Sequence, residues 1–159
     1  MSRKESIRRQ ILADHAESMA VLKSLTPEQW AMPVPSDADA PWTARDVLAH
    51  LAVSEGGQLG QITRLLAGEQ TVPPDFDLNR FNRSSVRKRA DKSVEELLAE
   101  IEAAHAQVLA TLEAVAEADL DKTGRHARGD TITVEEFFTR ITAHRRQHTD
   151  ELKQALGVR

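Results

Sequence analysis

Apolar residues recur at three- and four-residue intervals along four stretches of the chain, the spacing that gathers side chains on one face of an α-helix. The first stretch runs from about Lys4 to Leu25, with Ile7, Ile11, Met19 and Leu22 on one face, and it stops near Thr26-Pro27. The second opens at Thr43-Ala44-Arg45-Asp46, where the threonine hydroxyl can accept from a first-turn amide and Asp46 favours the positive helix end. Val47, Leu51, Ile62, Leu65 and Leu66 continue it toward Gly68. Ser93-Val94-Glu95-Glu96 is a fuller capping box and starts a third helix carrying Val94, Leu98, Ile101, Val108, Leu112 and Val115. The fourth opens at Thr133-Val134-Glu135-Glu136 and aligns Val134, Phe137, Ile141, Leu152 and Ala155.

Proline and glycine place the intervening stretches in connections rather than helix interiors. Trp30 to Trp42 contains Pro33, Pro35 and Pro41; Glu69 to Lys92 contains Pro73-Pro74; Asp119 to Asp130 contains Gly124 and Gly129. The middle connection is long for a structureless loop, so it is expected to hold a short helical turn around Leu78 to Arg89 or to cover a functional cleft. No internal repeat or composition shift marks a second domain. The expectation is an all-α chain, residues 1–159 forming one four-helix-bundle domain whose length of connection permits a crossover between the second and third helices.

Composition removes several chemistries. The 159 residues include no cysteine and no tyrosine, which excludes disulfide scaffolds, thiolate metal sites and cysteine nucleophiles. Any metal must then be held by histidine nitrogen or by oxygen. Acidic residues outnumber basic ones by 25 to 21, a formal charge of -4, so no global field draws the protein to phosphate backbones or anionic lipid. From this balance the expected partner is a small-molecule substrate, with no nucleic acid and no membrane. No apolar run approaches the roughly 20 residues of a membrane span, and the basic start lacks the apolar segment of a secretory signal, so a soluble, cytoplasmic protein is expected.

The segment Ala143-His144-Arg145-Arg146-Gln147-His148 holds the most informative chemistry. His144 and His148 are about 40° apart around a helix and about 6 Å apart along it, so their imidazoles can converge on one ion. They also continue the apolar stripe from Ile141 to Leu152, where a solvated histidine is out of place. Two imidazoles rarely complete a transition-metal site, and a third ligand must come from another helix. His50, His15 and His105 all occupy or border stripe positions, and periodicity does not rank them.

Pro41-Trp42-Thr43-Ala44-Arg45-Asp46-Val47-Leu48-Ala49-His50-Leu51, followed far downstream by the HxxxH segment, resembles the DinB-like/YfiT superfamily of metal-dependent enzymes. That group includes the amino-terminal domain of mycothiol-dependent maleylpyruvate isomerase. Gly124-Arg125-His126 and Thr131 to Glu136 also resemble the approach to the family's last helix, and the likeness covers nearly the whole chain. The resemblance implies a four-helix bundle of DinB/YfiT-like type with a crossover order, commonly a homodimer. It also implies that His50, His144 and His148 jointly bind a divalent metal.

Three neutral imidazoles can leave a coordination position open, which separates a catalytic metal from a structural one. Zinc or nickel suits such ligands, with iron and manganese compatible, and a low-molecular-weight thiol can serve as a cofactor. Glu55 and Glu151, each about one turn beyond a histidine, are the candidate catalytic carboxylates. Trp42 either anchors its loop or stacks on substrate; Arg80, Arg83, Arg87, Lys88 and Arg89 either grip an anion or form a solvated face. His126 falls in a glycine-bounded turn, where loop packing is expected. Two functions follow: a metal-dependent enzyme, hydrolase or thiol S-transferase-like, that activates water or a small thiol, and alternatively a non-catalytic dimeric helical stress or binding protein whose metal is structural.

Overall fold

The computed structural model describes residues 1–36, 38 and 40–159. Its elements are α1 (Arg3–Ser24), α2 (Pro27–Trp30), α3 (Ala44–Leu66), α4 (Leu78–Lys88), α5 (Val94–Ala114), a 3-10 turn (Glu117–Asp121), strands β1 (Thr123–Arg125) and β2 (Thr131–Thr133), and α6 (Val134–Leu156). Local chemistry sets the helix starts. Thr43 and Thr133 accept from the Asp46 and Glu136 amides, and those two carboxylates return to the cap backbone. At Ser93 the hydroxyl accepts from the Glu96 amide, but the Glu96 carboxylate meets the hydroxyl rather than the cap N–H. The fuller capping box thus lies at Thr43, not at Ser93. Gly157, in the left-handed region at φ 66°, ends α6.

The long helices α1, α3, α5 and α6 form the bundle. Helix α6 packs between α1 and α3, α3 also packs on α5, and α5 touches α1. One apolar cluster joins Met19 and Leu22 of α1 to Leu48, Leu51, Leu97, Ile101 and Leu152. A second joins Ile7 and Ile11 to Ile62, Val108, Phe137 and Ile141. The end of α1, the starts of α3 and α5, and the end of α6 therefore share one end of the bundle. The order is up, down, down, up. Parallel neighbours cannot be joined by a tight turn, so the connection between α3 and α5 must travel back along the bundle, and α4 lies within it. This is the crossover that the length of the connection permits and that the family resemblance implies.

Two features were not anticipated. Residues 123–133 form an antiparallel hairpin pairing Thr123 with Thr133 and Arg125 with Thr131. It closes through Gly129 at φ 101°. Gly124 seats it against α3, since a Cβ there would lie 2.9 Å from Leu65 Cδ1. The second feature is a polar layer between the two apolar clusters, built on Arg145, whose side chain is 1% exposed. Among the described residues no helix is long and apolar enough to cross a membrane.

Candidate metal centre

His50 stands on the second turn of α3, and His144 and His148 stand one turn apart on α6. The antiparallel packing of those helices brings the three together: His144 Nε2 lies 3.3 Å from His50 Nε2 and 3.1 Å from His148 Nε2. The rings meet edge to face, with interplanar angles of 77° to 81°. One nitrogen from each lies within 4.8 Å of the other two. With metal–nitrogen bonds of about 2.0–2.1 Å, two ligands at a tetrahedral angle lie about 3.3 Å apart. The separations therefore match imidazoles arranged around a common ion. Burial lowers the His50 pKa to about 3, aided by the charges of His148 and Arg128. Burial likewise holds His144 well below its ordinary value. Both are thus kept as neutral donors.

The outward-facing nitrogens have partners as well. Glu151 Oε2 lies 3.5 Å from His148 Nδ1, and Ser54 Oγ lies 3.4 Å from His144 Nδ1. Gln58 Nε2 donates to Ser54 Oγ at 3.0 Å, and Gln58 Oε1 meets His126 Nε2 at 3.2 Å. The Arg128 backbone N–H donates to His126 Nδ1. That bond assigns the acceptor lone pair to Nδ1, so Nε2 carries the proton donated to Gln58. A chain of polar contacts therefore runs from the hairpin loop through Gln58 and Ser54 to His144 Nδ1 and fixes the orientation of that ring. His126 packs the loop, as expected, with its ring centroid 5.4 Å from that of Phe137. Its link to Gln58 was not legible from sequence.

The other candidates lie apart. His15 and His105 stack on each other with ring centroids 3.5 Å apart. Glu55 is buried and accepts from Arg145 Nη2 at 2.6 Å, while Arg145 Nη1 meets His15 Nδ1 and Ser18 Oγ. Sequence reasoning missed Arg145, although it stands in step with Phe138, Ile141 and Leu152 on the buried face. Trp42 is 5% exposed in the core and its ring lies 5.5 Å from that of His50, an anchor rather than a surface for stacking. In the basic cluster, Arg83 donates to the Ala38 carbonyl and Arg89 pairs with Glu100.

Above His50 and His144 opens a cleft of about 1010 Å³ between α3, α6, α4 and the hairpin loop. None of the five basic residues of the α4 region lines it; Arg64, Arg128 and Arg140 do. Its other wall includes Phe76 and Phe81, with ring centroids 5.5 Å apart.

A model of the DinB superfamily matches residues 5–152. No curated protein sequence matches. Among solved structures, the colibactin self-resistance protein ClbS in complex with double-stranded DNA is 19% identical, with a TM-score of 0.77 over 95% of this chain and 94% of that one. YfiT from Bacillus subtilis, a probable metal-dependent hydrolase with an unusual four-helix bundle topology, is 21% identical, with a TM-score of 0.69 over 99% and 90%. Mycothiol-dependent maleylpyruvate isomerase is 12% identical, with a TM-score of 0.77; the match covers 95% of this chain but 61% of the isomerase. At these identities the likeness is one of fold. The ClbS complex overturns the exclusion of nucleic acid drawn above from net charge. Net charge is a sum over the whole molecule, whereas phosphate responds to the local field, and here the cleft presents three arginines against Asp130.

Proposed function

The chain belongs to the DinB superfamily, and on that premise we propose that it is a divalent-metal-dependent enzyme with His50, His144 and His148 as the metal ligands. The convergence of three imidazole nitrogens beside an open cleft supports this reading most directly. The donor set fits zinc or nickel, with iron and manganese compatible. A cation held there supplies Lewis acidity and lowers the pKa of a water or thiol brought to it, which suits hydrolase or thiol S-transferase-like chemistry. With no cysteine in the chain, the sulfur in thiol chemistry must come from a bound small molecule.

The chain's own groups orient the ligands and shape access. Glu151 holds His148 from behind, Ser54 and Gln58 hold His144, and Trp42 packs beside His50. The glycines of α3 that line the cleft, Gly56, Gly57 and Gly60, leave open space where side chains would otherwise project. A test is elemental analysis of protein purified without a histidine tag, beside His144→Ala. About one metal ion per chain, lost in the variant, is expected; metal-free wild type after supplementation with zinc, nickel, iron and manganese in turn would sink the reading.

The competing reading is a non-catalytic bundle in which the metal is structural. It draws on the carboxylates: Glu55 is engaged by Arg145, and Asp130, the cleft's acidic residue, by Arg140. Metal that exchanges rapidly and has an open position for added thiol or azide supports the enzyme. A closed, inert site supports the staple.

A further inference from the structure

We propose that the cleft above His50 and His144 binds the anionic group of an amphipathic substrate, with Arg64 and Arg128 as its grip. This deepens the enzyme reading above and rests on it for the substrate's role, though not for binding. The first observation is a local reversal of charge. Acidic residues outnumber basic ones over the whole chain, yet the cleft is lined by Arg64, Arg128 and Arg140 against Asp130. Arg140 and Asp130 neutralise each other through two hydrogen bonds of 3.2 and 3.0 Å. Arg64 and Arg128 are exposed, and among the described residues neither guanidinium has a carboxylate or carbonyl partner. By contrast, three arginines outside the cleft are engaged by carbonyls: Arg45 by those of Arg89 and Lys92, Arg83 by that of Ala38 and Arg125 by that of Pro74.

The groups below the cleft do not supply the missing negative charge. Neutral imidazoles leave the full charge of any divalent cation in place, Glu55 is consumed by Arg145, and Glu151 does not line the cleft. A positive field therefore remains over the histidines, and an anion entering from solvent satisfies it. Guanidinium forks are well matched to carboxylate and phosphate oxygens. The opposite wall supplies the second half of the recognition. Phe76 and Phe81 form an aromatic pair, Phe81 is 43% exposed, and the side-chain amides of Asn79 and Asn82, which also line the cleft, make no hydrogen bond among the described residues. An aryl or alkyl body bearing a carboxylate or phosphate fits both walls. The same chemistry is presented by a free small molecule and by an unstacked nucleotide of a nucleic acid.

Phenylphosphonate, with benzyl alcohol as its uncharged counterpart, is the probe, titrated calorimetrically into metal-loaded and chelator-treated protein. Phenylphosphonate is expected to bind at least about tenfold more tightly than benzyl alcohol, and Arg64→Gln and Arg128→Gln are each expected to weaken it by about tenfold, the scale of one charge-assisted hydrogen bond. Arg87→Gln, exposed on α4 and outside the cleft, should leave it unchanged. Equal binding of the two probes, or wild-type affinity in the Arg64→Gln/Arg128→Gln double variant, overturns the anion site; circular dichroism checks that each variant is folded. The two readings separate cleanly. Arginine-dependent binding by a protein that takes up no metal keeps the anion site and rejects the metal centre, and metal uptake without arginine-dependent binding does the reverse. A single-stranded oligonucleotide that displaces phenylphosphonate, and fails to bind the double variant, assigns the anion to nucleic acid; a single strand that does not compete assigns it to a small molecule.

Discussion

The Arg145 guanidinium donates to the Glu55 carboxylate at 2.6 Å, with side chains 1% and 2% exposed, and so ties α6 to α3 within the bundle core. Arg145 immediately follows His144, but it reaches Glu55, His15 and Ser18 while His144 lines the cleft. Adjacent residues thus serve the core and the candidate site. Removing one partner of a buried pair strands a charge, which costs more than the pair itself contributes. Arg145→Met is therefore expected to lower the unfolding free energy by about 3–5 kcal/mol, and Arg145→Met/Glu55→Leu to recover much of the loss. Urea unfolding of both proteins measures this; a double variant less stable than the single one contradicts it.

The support behind the histidines is expected to tune metal affinity without setting it. Glu151→Gln weakens the carboxylate facing His148, and Gln58→Leu cuts the chain between His126 and Ser54. Each should weaken metal binding by about 10- to 100-fold while keeping the stoichiometry, because the ligands themselves remain. Competition with a chromophoric chelator reads the affinity, and unchanged constants in both variants would refute the assigned role.

Seating of the hairpin is expected to matter at a distance. A Cβ at Gly124 would lie 2.9 Å from Leu65 Cδ1, 3.1 Å from Leu65 Cδ2 and 3.4 Å from Thr71 Cγ2. Gly124→Val should cost about 1–3 kcal/mol by overpacking and should pull His126 from Gln58. Its metal affinity should fall toward that of Gln58→Leu, with no ligand altered. Thermal melts and chelator competition on the same preparation test the two effects together.

Stability should decline in mild acid through the stacked histidines. Burial, then the charge of His15, lowers the His105 pKa to about 4, and burial lowers that of His15. The unfolded value is about 6.5. Between those limits the unfolded chain binds more protons than the folded one, so the contribution is complete above about pH 6.5 and is lost as pH falls toward 4. His105→Gln should flatten the pH dependence of urea unfolding over that window, and an unchanged slope would exclude His105 as a source.

Helix starts were legible because threonine, serine and acidic residues act on amides only three positions away, so Thr43, Ser93 and Thr133 announced α3, α5 and α6. The turn expected around Leu78 to Arg89 is the helix α4, Leu78–Lys88. The hairpin was hidden because its strands are three residues each and their pairing joins positions across a turn. Within the site, His144 and His148 could be paired from helical geometry alone. The choice of His50 over His15 and His105 depended on which helix faces α6, and that is set by packing; the family resemblance, not periodicity, supplied it. Arg145 was overlooked because a run of charge reads as solvated. Its position in step with Phe138 and Leu152, and that of Glu55 with Leu51 and Ile62, was the available signal.

The up, down, down, up order also has a meaning in time. His50 and His144 are separated by 94 residues of chain, and the later histidines ride on α6, which is made after α1, α3 and α5. When α3 leaves the ribosome it carries a single imidazole, a weak and unselective ligand. The complete cluster exists only after α6 has docked between α1 and α3. Capture of an ion there would follow assembly of the bundle rather than guide it, so the rate of metal uptake during refolding would serve as a clock for the docking of α6.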